Sequence, residues 1–171
     1  MTDRQRRRQP VPEAVDPDVD LHVPQQRAET GPGRTGPVLG AIAAGGALGA
    51  AARHGLSLAL PAHGAAFPWG TFLVNVSGCA LIGVLMVLVS EGGRTAPLLV
   101  RPFLGVGVLG GYTTFSTYAV DVSRLLDEGG GGSAVGYLFG TVAGALVALW
   151  LAVSVTRAAV TRVAVRRAER P

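Results

Sequence analysis

Four apolar stretches, each about as long as a membrane span, dominate this chain. A bilayer's hydrocarbon core is ~30 Å thick, and a helix needs about 20 mostly apolar residues to cross it. The first stretch runs from about Pro37 to Leu60, "PVLGAIAAGGALGAAARHGLSLAL". The second runs from about Trp69 to Ser90, the third from about Leu98 to Leu126, and the fourth from about Ala134 to Thr156. Their connectors are short: "PAHGAAFP", "EGGRTAP" and "DEGGGGS". Within hydrocarbon no water is present to bond a free N–H or C=O, so such segments have to be helical or closed into a barrel. Runs of this length point to helices. The expected fold is an all-α membrane protein with four transmembrane helices, and a composition of 49% hydrophobic and 15% charged residues agrees.

Charge is concentrated at the ends. There is no lysine, and arginines crowd into residues 4–34 and 157–170. Met1 to Gly36 is too polar and proline-rich to repay its ordering entropy, which predicts a disordered tail. It also has no apolar core of the kind a secretory signal needs. Residues 37–156 form the expected four-span domain, and 157–171 a basic C-terminal tail that is partly helical in pattern. Basic flanks beside membrane spans fit the cytoplasmic face and its anionic lipid better than nucleic acid. The single cysteine, Cys79, lies inside a span, so neither a disulfide framework nor a cysteine metal site is available.

Small residues mark helix contacts. Gly45 and Gly49 make one GxxxG, and Gly136, Gly140 and Gly144 a double one. Such spacing lets backbones approach closely, within a bundle or across a dimer. Gly105, Gly107 and Gly110 spell GxGxxG, but no strand precedes them and no βαβ unit surrounds them, so a dinucleotide site is excluded.

The polar residues inside the spans bear on function. In "GVGVLGGYTTFSTYAVD", hydroxyls cluster around Phe115 just after Gly110-Gly111. Two readings stand for this segment. It is either a kinked helix whose hydroxyls turn back on its own carbonyls, or a broken third helix whose freed groups line a path for an ion. Asn75, deep in the second span, faces the bundle interior, either to fix packing or to donate to a passing anion. Arg53 either snorkels to the interface or joins a structural network near a pore mouth. Thr141 is expected to bond back to its own helix. Phe115 and Tyr118 share a helical face, and their positive ring edges can meet an anion without a formal charge.

"GGALGAAARHGLS", "PWGTFLVNVSGCALIG" and "GVLGGYTTFSTYAVD" resemble, in order and spacing, the signature segments of the Fluc/CrcB fluoride channels. The resemblance covers about Pro37 to Thr156. It implies a passive, fluoride-selective channel, not an enzyme, that exports cytoplasmic fluoride across the bacterial plasma membrane. It implies an antiparallel dimer with two pathways and a central structural sodium ion held by the backbone carbonyls of Gly110 and Thr113. Matched position by position, the fluoride pathway takes Asn75, Phe115, Ser116, Thr117, Tyr118 and Thr141, and Arg53 takes a structural role. Tyr118, Thr141 and His54 depart from the family's usual residues, which are phenylalanine, serine and an aromatic.

With four spans, both tails and the "EGGRTAP" loop share one side. That side carries both arginine clusters plus Arg94 and Arg101, whereas the other carries only Arg124. The bias predicts cytoplasmic termini, and hence either self-assembly or an oppositely oriented paralogue as partner. The rival classes are a small multidrug-type exporter, with Asp121 as its only candidate carboxylate, and a non-transporting membrane scaffold.

Overall fold

Apolar helices held together by glycine contacts make up the described part of the chain, which in the computed structural model is residues 35–91 and 97–168. The elements are α1 (Thr35–Ala59), α2 (Trp69–Glu91), α3 (Arg101–Leu109), α4 (Gly110–Tyr112), α5 (Ser116–Asp127) and α6 (Gly131–Ala168). No strand occurs among the described residues. The tail expected over residues 1–36 lies almost wholly outside them, as do residues 92–96 of the "EGGRTAP" connector; Thr35 and Gly36 open α1.

Among the described residues, three helices are long and apolar enough to cross a membrane: α1, α2 and the body of α6. With 25 and 23 residues, α1 and α2 measure about 37 and 34 Å at 1.5 Å per residue, a little more than the hydrocarbon core. The third apolar stretch is built differently. α3 is π-helical, with Pro102 in its first turn, where a missing N–H costs nothing. It continues without a turn into α4, since Gly110 is itself helical (φ −64°, ψ −37°). Thr113 is then extended (φ −74°, ψ 159°), and α5 starts three residues later.

α1 packs on the α3–α4 rod at backbone contact. A Cβ on Gly45 would strike the Phe103 carbonyl, and one on Gly49 the Val108 carbonyl, with Tyr112 N only 2.8 Å away. Gly107 answers from the other side, 2.8 Å from Ile42 O and 2.9 Å from Gly45 Cα by the same measure. The GxxxG of α1 is therefore spent within the chain. The double GxxxG of α6 differs: a Cβ on Gly136 or Gly140 would meet nothing within 4 Å, and one on Gly144 would press only on side chains, 3.3 Å from Val76 and 3.4 Å from Phe72.

α2 and α6 run alongside in the same direction. Gly144 lies near Phe72, Gly83 near Leu149, and Arg157 grips Glu91 at the far end, Nε to Oε2 at 2.8 Å. The buried core is small and sits where α5 meets α6: Tyr118, Leu125, Ala134 and Tyr137, flanked by Phe67 and Phe72. Phe67 meets Tyr137 edge to face at 5.3 Å. Large apolar side chains such as Leu58, Phe139 and Trp150 point outward, each more than 60% exposed. Threonines 71, 114 and 141 are buried. An apolar exterior around buried hydroxyls is the arrangement a lipid solvent selects.

Gly49→Ala forces a methyl into the α3 backbone, and overpacking of this kind costs about 1–3 kcal/mol. Gly40→Ala, on the same helix in open space, gains helix propensity of up to about 1 kcal/mol. Thermal unfolding of the detergent-solubilised protein should show the midpoint falling for the first and holding or rising for the second.

Candidate functional site

The chain break between α4 and α5 creates the site. Thr113 bends away from helical geometry while both its N–H and its Oγ1 reach back to Leu109 O, each at 3.0 Å. One hydroxyl of the cluster thus turns on its own helix, as the kinked-helix reading expects. Gly78 of α2 gives it room, since any Cβ there would run into the Thr113 methyl. Thr114 takes the other course. Its N–H donates to Asn75 Oδ1 at 2.9 Å, and Asn75 Nδ2 donates to Thr114 O at 2.9 Å. The carboxamide of α2 replaces the helical partners that the peptide has lost. It uses one of its two N–H donors in doing so and keeps the other.

Below the break, Thr114 caps α5. Thr117 N donates to Thr114 Oγ1 at 3.2 Å, and that hydroxyl donates to Thr117 Oγ1 at 3.0 Å. The cap satisfies a donor that every helix start leaves open. Above the break, Tyr112 OH pairs with Ser77 Oγ at 3.1 Å. Arg53 Nη1 donates to Thr113 O at a long 3.4 Å, which places the guanidinium in a network at the break.

A groove of about 490 Å³ runs along this region between α2, the break and α6. Six of the residues singled out from sequence line it: Asn75, Gly110, Thr113, Phe115, Tyr118 and Thr141. Ser116, Thr117 and Arg53 do not. Ser116 and Thr117 are exposed on the first turn of α5, and Thr117 borders a separate cavity of about 150 Å³ with Thr71 and Asp121. Phe115 is 80% exposed, and its ring centre lies 5.7 Å from that of Tyr118. The Tyr118 phenol donates to Leu138 O at 2.8 Å.

Thr141 departs from expectation. It is only 4% exposed, yet its hydroxyl bonds neither back to its own helix nor to any other described group. A buried hydroxyl left without a partner costs about 1–3 kcal/mol. Thr141 and Asn75 are both among the residues that line the groove.

Sequence reasoning missed a second polar cluster. Asp121 Oδ2 accepts from Thr71 Oγ1 at 2.7 Å and from Tyr137 OH at 3.4 Å, and Oδ1 accepts from Arg124 at 3.5 Å. Arg124 also donates to Gly64 O in the α1–α2 turn. Thr71 and Asp121 are 50 residues apart, so no local pattern joins them. The one available signal was a carboxylate in an apolar segment, which has to find donors. With three donors around it, Asp121 is a structural hub.

The chain matches the family described as CrcB-like protein, Camphor Resistance (CrcB), over residues 40–153. A protein of Streptomyces avermitilis named fluoride-specific ion channel FluC 2 is 46% identical over 134 residues, covering 78% of this chain and 84% of its own. FluC 1 of Streptomyces coelicolor, also named a fluoride-specific ion channel, is 53% identical over 116 residues, 68% of this chain and 75% of its own. FluC 2 of Thermobifida fusca, of the same description, is 50% identical over 131 residues, 77% and 96%.

Asn75→Leu keeps the volume but strands the Thr114 N–H and C=O, and a stranded buried group costs about 1–3 kcal/mol. Thr141→Val removes a hydroxyl that bonds nothing. Unfolding midpoints in detergent should fall clearly for the first and stay level or rise for the second.

Proposed function

This chain belongs to the CrcB family, and from that premise we propose that it is a passive, fluoride-selective channel that lets cytoplasmic fluoride leave the cell. The observation that carries the reading is a groove at the helix break whose lining includes both Asn75, with an N–H to spare, and Thr141, whose buried hydroxyl has no partner. Fluoride is small and strongly hydrated, so its transfer requires donors that replace water. A fixed cation would hold it too long. Asn75 and Thr141 offer neutral donors, and the edges of Phe115 and Tyr118 offer partial positive charge. The buried Thr141 hydroxyl would gain a partner once its side chain turns toward an anion or water in the groove. Ser116 and Thr117, outside this groove on the first turn of α5, would offer further hydroxyls on the far side of the break. The engaged carboxylate of Asp121 weighs against a proton-exchanging exporter.

The α3–α4 rod and α5 together supply the remaining span, broken at Thr113–Phe115, so the chain crosses the membrane four times. Two copies, or this chain and an oppositely oriented paralogue, pair antiparallel and form two pathways, with lipid around them. Phe115, exposed in one chain, is then covered by the partner. Gly110 and Thr113 are the residues that would hold a structural sodium ion. Thr114 N bonds Asn75, not Gly110 O, so that carbonyl loses its helical donor, and nothing crowds Gly110 from outside. Hard, neutral carbonyl oxygens at a helix break suit an alkali cation. Arg53 already approaches Thr113 O, so this carbonyl divides its lone pairs between the guanidinium and the ion. When bound, sodium supplies fixed charge that ties the two breaks together.

The arginine bias sets orientation: both termini lie in the cytoplasm, and the protein resides in the bacterial plasma membrane. Nucleic acid has no part in this reading, and no catalytic step is involved.

Fluoride efflux from liposomes, read with a fluoride electrode, tests the pathway. Thr141→Val and Phe115→Ile should each slow efflux at least tenfold with assembly intact, and exchange of sodium for a bulky organic cation throughout purification should lower it too. Unchanged efflux for Thr141→Val would remove the central support. Reporter fusions at the C-terminus test orientation: signal from one side only is expected, and equal signals from both would refute the fixed topology. Efflux by this chain alone would show that no paralogue is required.

A further inference from the structure

α6 is longer than a membrane is thick. Its 38 residues span about 57 Å, against a hydrocarbon core of ~30 Å. The apolar run ends near Thr156, but the helix continues unbroken to Ala168. From Gly131 to Ala168 there is no acidic residue, while Arg157, Arg162, Arg166 and Arg167 crowd into the last twelve positions.

These arginines do not share one fate. Arg157 is clamped by Glu91 through three bonds of 2.5 to 3.0 Å, which neutralises it and marks the level where α2 ends. Arg162 and Arg166 are exposed and have no ion-pair partner among the described residues. They stand four apart, on one face. At 1.5 Å per residue Arg162 lies about 7–8 Å beyond the clamp and Arg166 about 13–14 Å. The polar layer of one leaflet is about 5–8 Å deep. Helical side chains tilt toward the N-terminus, which here means back toward the bilayer. Both guanidinium groups therefore reach the headgroup phosphates of the leaflet that α6 leaves. Along this face lies a shallow groove of about 710 Å³, lined by Arg157, Thr161, Arg162 and Arg166, with Ala158 and Val165 as its apolar residues and Ser154 at its membrane end.

We propose that this face of α6, built on Arg162 and Arg166, docks anionic phospholipid headgroups. Charge complementarity selects the occupant: two unpaired, planar, doubly donating cations sit at phosphate depth beside apolar residues that accept glycerol and upper acyl carbons. The inference rests on α6 crossing the membrane and is independent of whether fluoride passes.

Trp150, one of two tryptophans, lies seven residues before Arg157 and is 67% exposed. Replacing the other, Trp69→Phe, makes it a sole reporter in the full-length chain. Vesicles of equal phosphatidylcholine and phosphatidylglycerol carry bromine on the acyl chains of one lipid at a time, and tryptophan quenching reports which lipid lies beside α6. Brominated phosphatidylglycerol should compete about fivefold or better, since each basic residue at the surface contributes roughly that factor. The preference should fall to less than half of that in Arg162→Gln/Arg166→Gln, with circular dichroism unchanged. Equal quenching by both lipids in the parent, or an undiminished preference in the double variant, overturns the proposal. Fluoride efflux from the same vesicles is read separately: lost efflux with an intact lipid preference counts against the channel alone.

Discussion

The pairing of the Asn75 carboxamide with the Thr114 peptide underlies the rest of the site. A helix interrupted inside hydrocarbon strands N–H and C=O groups that water cannot reach, each costing several kcal/mol. Asn75 presents one acceptor and one donor in the arrangement of a peptide and closes both bonds at 2.9 Å. The break then becomes affordable, and three consequences follow. Gly110 O loses its helical donor, Thr114 is placed to cap α5, and Phe115 is thrown outward beside Tyr118. The glycines hold the same geometry from two directions. Gly45 and Gly49 bring α1 onto the rod before the break, and Gly78 admits Thr113 against α2.

How much of this was legible in the sequence depended on the range of the interaction. Span-length apolar runs report the solvent, so the positions of α1 and α2 followed to within a few residues. The end of α6 followed only in part, from the partly helical pattern of the tail. Hydropathy marks where the lipid stops, whereas helix continuation depends on local propensity, and "RAAVTRVAVRRA" consists largely of residues a helix accepts. The two GxxxG patterns looked alike on paper but serve different ends: that of α1 is buried against a backbone, while Gly136 and Gly140 of α6 face open space. Spacing specifies a smooth face and says nothing of what covers it. The hydroxyl cluster was visible, but the direction of each hydroxyl was not. Thr113 turns back, Thr114 caps, and Tyr112 and Tyr118 bond to α2 and α6, because each χ1 is decided by neighbours remote in sequence. The Asp121 cluster is the extreme case, since its partners come from α2, α5 and α6.

Sorting the buried polar groups by whether they are satisfied separates architecture from function more sharply than position does. Thr71, Thr113, Thr114, Tyr118 and Asp121 all have partners within the chain, so their removal acts first on stability. Thr141 has none, and Asn75 has a donor to spare. A buried hydroxyl without a partner is normally selected against, and a valine of the same shape would be cheaper in this position. Persistence of the hydroxyl therefore asks for an occupant that comes and goes. A resident, tightly bound ligand would demand several converging donors or a fixed charge, and the groove offers neither: Arg53 is committed to the break, the Thr113 and Thr114 hydroxyls are committed within the chain, and the rest of the wall is largely apolar. Few, weak and neutral donors are what a transported ion needs if it is to leave as readily as it enters. On this ground the groove suits passage better than storage.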